Sequence, residues 1–185
     1  MSPPVLALIG AAVLLLGWAG LSYNRFALQR EMIDNSWSTI DTELRRRYDL
    51  IPNLVATVKG YAAHERATLE AVIEARSQAV AATGAPDEQA SAENVLVDGL
   101  KQLFAVAEAY PDLKADRHFL ELQRELAATE NRIQAARRIF NGNVRDLNRR
   151  VEQVPSNLVA RLGGFGRAEY FQIDAAAAAV PSTTP

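Results

Sequence analysis

VLALIGAAVLLLGWAGL, Val5 to Leu21, carries no charged and no strongly polar side chain. As a helix this run rises about 25 Å, slightly short of the ~30 Å hydrocarbon core of a bilayer. Ser22 and Tyr23 extend it and close most of the gap. Trp18 and Tyr23 fall where aromatic rings settle among headgroups, and Arg25 and Arg30 follow where guanidinium groups meet lipid phosphate. These four residues are the expected membrane interface. Gly10, Gly17 and Gly20 would weaken a soluble helix but are common in membrane spans. A cleaved signal peptide needs a basic start and a small-x-small site. The leading MSPP holds no Lys or Arg, and no clean site follows the run. A soluble core helix apolar on every face would be unusual at an N-terminus. Residues 1–23 therefore read as a single-pass anchor in the cell membrane, and the rest as a body tethered to the bilayer. Basic residues follow the span and none precedes it, which puts the N-terminus outside and the body in the cytoplasm.

Composition narrows the class of that body. A 185-residue chain minus its anchor holds one domain with a core of its own. The net charge of -2 gives no reason to expect nucleic acid or an acidic surface as partner. There is no cysteine, so disulfides, thiolate metal sites and cysteine nucleophiles are excluded. No sustained period-two alternation appears, and no Asn-Gly or Asp-Gly turn sits between β-branched runs. The body reads as all-α.

Phe26, Arg30, Ile33, Trp37, Ile40, Leu44 and Tyr48 recur at steps of three and four, one helical stripe with Arg30 as its polar exception. Arg45, Arg46 and Arg47 read as a solvated face. DLIPN, Asp49 to Asn53, is the first break, because Pro52 cannot bond the carbonyl of Tyr48 and disfavours helix at Ile51. Leu54, Val55, Val58, Ala62, Leu69, Val72, Ile73 and Val80 give the next helix, ending near Thr83 before TGAPD. The third runs from about Glu88 to Tyr110, and Pro111 ends it. The fourth carries a heptad stripe from Phe119 through Leu126, Ile133, Phe140 and Leu147 to Val154, with a stutter beside Gly142 and Asp116 as its cap.

Length decides how Pro52 is read. Fused into one rod, the first two helices would extend about 90 Å beyond the membrane, against roughly 33 and 55 Å for the others. Split at Pro52, the four match better. The expectation is an antiparallel up-down four-helix bundle over residues 24–154, although the apolar stripe runs through Pro52 uninterrupted. A short C-terminal segment, 155–173, and a disordered Ala-rich tail, 174–185, follow. In an up-down order the fourth helix returns to the bilayer, so PSNLVARLGGFG is expected either at the membrane surface or packed on the bundle end. Its GGFG reads as a hinge.

RRYDLIPNLVATVKGYAAHE (Arg46 to Glu65), LFAVAEAYPDLKA (Leu103 to Ala115), FLELQRELAATENRIQAARRIFN (Phe119 to Asn141), PSNLVA (Pro155 to Ala160) and AEYFQ (Ala168 to Gln172) resemble the signature strings of the LemA family. With the anchor, the resemblance covers nearly the whole chain. It implies a single-span bacterial membrane protein with a helical-bundle body, and it carries no catalytic residues across.

The residues themselves offer little chemistry. His64 and His118 are the only histidines, and neither follows a Glu three positions earlier, as a di-iron bundle requires. HERAT at His64 is not the zinc-protease pattern, and no Gly-x-Ser-x-Gly elbow exists. No metal or cofactor is expected. Polar residues inside the signature strings are the candidates instead: Asn53, Lys59, His64, Glu65, Glu108, Asp112, Lys114, Glu130, Asn131 and Arg137. They suit either a buried network that fixes helix register or a docking surface at the tip holding the Pro52 and Pro111 turns, with Asn53, Asp112 and Lys114 together. The expected role is a membrane-tethered scaffold or adaptor that self-associates or binds an unknown protein. An accessory or sensory subunit of a membrane complex is the alternative, and an enzyme with a polar site in the bundle a further one.

Overall fold

The computed structural model describes residues 2–173. Among them are six helices and no strand: α1 (Pro3–Tyr61), α2 (Arg66–Ala81), α3 (Pro86–Ala107), α4 (Pro111–Ala115), α5 (Arg117–Glu152) and α6 (Ser156–Leu162). The protein is all-helical, and α1 opens with a segment long and apolar enough to cross a membrane. Side chains from Val5 to Trp18 are exposed, Leu14 to 76%. The expected disordered tail, 174–185, lies outside the described residues.

The turn expected at Pro52 is not formed: α1 passes through it. Packing explains why. Ile40, Leu44, Tyr48, Ile51, Leu54, Val55, Val58 and Ala62 are all buried, so one stripe serves both sides of the proline. The missing N–H leaves the Tyr48 carbonyl without its helical partner. Arg76 of α2 replaces it, donating from Nε to that oxygen at 2.7 Å. The first reversal comes later, across Ala62 to Glu65, where the Glu65 N–H bonds the Ala62 carbonyl at 3.1 Å. The helix expected from Leu54 to Thr83 is thus shared between the end of α1 and α2. Matched helix lengths are unnecessary, because α1 and α5 each contribute to two separate compact units.

The first unit joins the chain up to Ser36 with Ile139–Ala168. Its core is Phe26, Leu147, Val159, Ala160 and Phe165, with Ala19, Ile33, Val151 and Ala168 partly buried against it. Phe165 stacks on Phe26 with ring centroids 5.0 Å apart and meets Tyr23 edge-on at 5.2 Å. The Arg30 guanidinium lies 4.9 Å over the Phe165 ring and donates to the Gly164 carbonyl at 3.1 Å. GGFG is therefore not a free hinge but the stop of α6. The Phe165 N–H bonds back to the Ala160 carbonyl at 2.9 Å, the six-to-one closure of a Schellman turn. Gly164 takes φ +70°, and a Cβ on Gly163 would sit 2.7 Å from the Phe165 ring. Buried Asn148 pins the following strand of chain, bonding the Ala168 carbonyl at 2.9 Å and its N–H at 2.8 Å.

The second unit joins Trp37–Arg138 with residues 169–173. The end of α1, α2, α3 and the first part of α5 supply most of its buried residues, joined by Leu113 of α4 and by Phe171 and Ile173. Phe104 and Phe119 meet at 6.2 Å, and Trp37 meets Phe171 edge-on at 5.2 Å. Asp116 caps α5 as the sequence indicates, its Oδ1 accepting the Phe119 N–H at 2.8 Å. The Tyr61 hydroxyl donates to Oδ2 of the same carboxylate at 2.9 Å. These two bonds, the backbone one first, hold Asp116 below the usual carboxylate range.

The Pro52–Arg76 relation is testable by a double-mutant cycle on thermal unfolding followed by circular dichroism. Arg76→Ala should cost on the order of 1–3 kcal/mol in the native background, where it orphans the Tyr48 carbonyl. It should cost clearly less in Pro52→Ala, whose new N–H restores the helical bond. Additive costs would mean that Arg76 does not substitute for that bond.

Candidate functional site

The most unusual feature of the second unit is a buried charge cluster. Arg47, from the triplet expected to face solvent, is 1% exposed; Arg45 and Arg46 are the solvated ones. Its Nη2 donates to Oε2 of Glu93 on α3, and its Nη1 donates to Oε2 of Glu130 on α5 at 2.8 Å. Oε1 of Glu93 accepts from the Tyr48 hydroxyl and from Gln89 Nε2, the latter at 2.8 Å. Gln89 also donates to the Ala79 carbonyl of α2 at 3.1 Å. Burial first, and the Glu93 charge second, push the Tyr48 phenol far above its ordinary range, so it stays a donor.

Two carboxylates on facing helices ordinarily invite a cation. Here the chain supplies its own: the planar guanidinium reaches both, and its fork matches carboxylate geometry. Glu93 is the better satisfied of the pair, since both its oxygens are bonded. Oε1 of Glu130 and Nε of Arg47 take no hydrogen-bond partner among the described residues. Beside the cluster, Arg132 joins Glu43 at 2.8 Å and the Thr129 hydroxyl at 3.0 Å, a second tie between α5 and α1.

Of the polar residues singled out from sequence, Glu130 is buried in this cluster, and Glu65 and Arg137 are half-buried. Arg137 bonds the Ile173 carbonyl, and Glu65 accepts from the Tyr110 hydroxyl at 3.4 Å. Asn53, Lys59, His64, Glu108, Asp112, Lys114 and Asn131 are exposed. The Tyr61 hydroxyl donates to Asp116 and the Tyr110 hydroxyl to Glu65, and Lys114 pairs with Glu108 at 2.5 Å. Asn53 does not join them; with no turn at Pro52 it stays on α1, about 12 Å before Tyr61. Of the expected membrane-interface residues, Trp18, Tyr23, Arg25 and Arg30 all lie on α1, with Tyr23 and Arg30 against Phe165.

Arg47, Tyr48, Gln89 and Glu93 were absent from the sequence-based set. A signal for them did exist. Extending the α3 stripe backwards from Leu96 by steps of three and four lands on Glu93 and Gln89, polar residues at core positions. Beside Pro52 an open groove of about 610 Å³ is lined by Ile51, Val55, Lys59, Arg66, Ile73 and Arg76.

Among the described residues, one segment apolar and long enough to cross a membrane leads into helices tied together by a buried ion cluster. The chain belongs to the LemA family, whose model matches residues 36–184. It is similar to the magnetosome proteins MamQ 1 and MamQ 2 of Paramagnetospirillum magneticum, each 26% identical over 190 residues, 89% of this chain and 70% of the relative. It is also similar to the magnetosome protein MamQ of Magnetospirillum gryphiswaldense, 26% identical over 206 residues, 98% of this chain and 74% of the relative.

Removing the guanidinium alone should be costly, because two carboxylates are then buried without a cation. Arg47→Met should destabilise the protein by about 3–5 kcal/mol. The triple variant Arg47→Met, Glu93→Leu, Glu130→Leu should regain most of that loss in thermal unfolding. A triple variant as unstable as the single one would mean that the ion cluster supplies net stability of its own.

Proposed function

We propose that this protein is a membrane-tethered scaffold or adaptor, acting by contact with other proteins or with copies of itself rather than by catalysis. One observation carries the reading. The same helix, α1, is apolar and unshielded before Trp18 and becomes core-forming from Phe26 on. Anchor and body are thus one continuous element. The relatives are named for the magnetosome and not for a reaction, which supports a part in an assembly. Short connections between α1, α2, α3 and α5 favour antiparallel neighbours, and we read the second unit as an up-down bundle whose first turn is Ala62 to Glu65.

Arg25 and Arg30 after the apolar run, with no Lys or Arg before it, support a reading with the body in the cytoplasm and the N-terminus outside. The chain has no native cysteine, so Val80→Cys gives one exposed thiol on the body. In right-side-out vesicles an impermeant maleimide should label it only after permeabilisation. Labelling of sealed vesicles would reverse the orientation.

The accessory-subunit reading is favoured by the groove beside Pro52, where Lys59, Arg66 and Arg76 outnumber Glu70 on a largely apolar floor. Its charge suits an acidic amphipathic segment of a partner. Light scattering of the protein in mild detergent, with mass spectrometry of what co-purifies, separates the readings. A homogeneous homo-oligomer is expected for a scaffold. A fixed-ratio complex that dissolves in Lys59→Glu, Arg66→Glu would make it a subunit, and a bare monomer would count against both.

A further inference from the structure

α6 is short, and its two sides differ. Val159 and Ala160 face Phe26 in the core of the first unit. Leu158 and Leu162, one turn apart, are exposed, Leu162 to 91%, and Val154 just before the helix is 76% exposed. Isolated exposed leucines are common on soluble surfaces. These three are not isolated, because the fold ties them to a particular level of α1. Ala19, inside the apolar run, packs on the cluster that holds Val159 and Phe165. Ser22, one turn on, is buried, and Tyr23 touches Phe165. The segment is therefore pressed against the last turns of the apolar run and the two turns that follow it.

On that same stretch of α1, Leu21, Tyr23 and Leu28 are exposed. Arg25 and, on α6, Arg161 are exposed as well. Apolar side chains beside cations, at the point where an apolar helix ends, match the chemistry of a headgroup boundary. Each buried leucine adds favourable transfer energy, and each arginine near an anionic surface adds to it.

We propose that α6 with Val154 is a membrane-surface foot. Its Leu158 and Leu162 insert into the headgroup–acyl boundary of the bilayer that α1 crosses, and Arg161 and Arg25 meet lipid phosphates. The foot gives the first unit a second contact with lipid besides α1. It rests on the reading of α1 as an anchor, and the test separates the two.

Three single-cysteine variants of the full chain, Leu162→Cys, Leu14→Cys and Ile139→Cys, are labelled with an environment-sensitive fluorophore. All three native side chains are exposed, so folding is retained. Ile139 belongs to the same unit but lies about 20 Å back along α5 from Glu152. The proteins are reconstituted in vesicles of phosphatidylcholine and phosphatidylglycerol carrying a lipid-attached quencher at the headgroup or deep in the chain. Expected is quenching at Leu14 by the deep quencher, at Leu162 by the shallow one, and little of either at Ile139. Quenching at Leu14 with Leu162 no more quenched than Ile139 would overturn the foot and leave the anchor standing. A blue-shifted but unquenched Leu162 would also overturn it, showing a protein cover instead of lipid. An unquenched Leu14 would remove the anchor and the foot together.

Discussion

Arg47 bridging Glu93 and Glu130 is the constraint around which the second unit is arranged. A guanidinium out of water loses several kcal/mol of hydration, and so does each carboxylate. Such groups are tolerated only when their partners stand at the right distance, and here the partners come from α1, α3 and α5. Tyr48 and Gln89 add the α2 backbone through Ala79. A one-turn slip of α1, α3 or α5 would leave a buried charge bare. Apolar stripes alone discriminate registers weakly, since leucine packs nearly as well one turn along. The ion cluster makes the wrong registers expensive.

Pro52 illustrates the same economy at the backbone. A proline in the middle of a long helix removes one hydrogen bond and tends to bend or end it. The stripe of Ile51, Leu54, Val55 and Val58 favours continuation, because each of these side chains is buried only if the helix goes on. Burying four such groups is worth several kcal/mol, more than the bond that is lost. Arg76 recovers the orphaned carbonyl from outside the helix, and does so one residue from Arg47 on the α1 face, where Tyr48 already ties α1 to Glu93. The proline thus becomes a docking point for α2.

In the first unit the ordering agent is aromatic. Phe165 reaches Phe26 only because Gly163 leaves room for its ring and Gly164 accepts a left-handed turn. Arg30, the polar exception in the α1 stripe, lies over that ring and closes the turn with a hydrogen bond. A residue that interrupts the hydrophobic pattern in the sequence is the lid of the hydrophobic cluster in the fold.

By itself the sequence determined the helical class, the apolar run, the stripes on α1 and α5, and the Asp116 cap. Each of these is written in local periodicity or in one residue's capping chemistry, which neighbouring residues suffice to express. Glu130 was legible as a polar residue inside one of the signature strings, but its partner was not. Only the tertiary structure decided that α1 continues through Pro52, that GGFG is a turn fixed by Phe165, and that Arg47 of three consecutive arginines goes inside. These outcomes depend on residues 28, 46, 83 and 134 positions away, at Arg76, Glu93, Glu130 and Gly164. Propensity describes what a segment prefers alone. Burying a charge or tolerating a mid-helix proline depends on whether a distant group arrives to complete the bond.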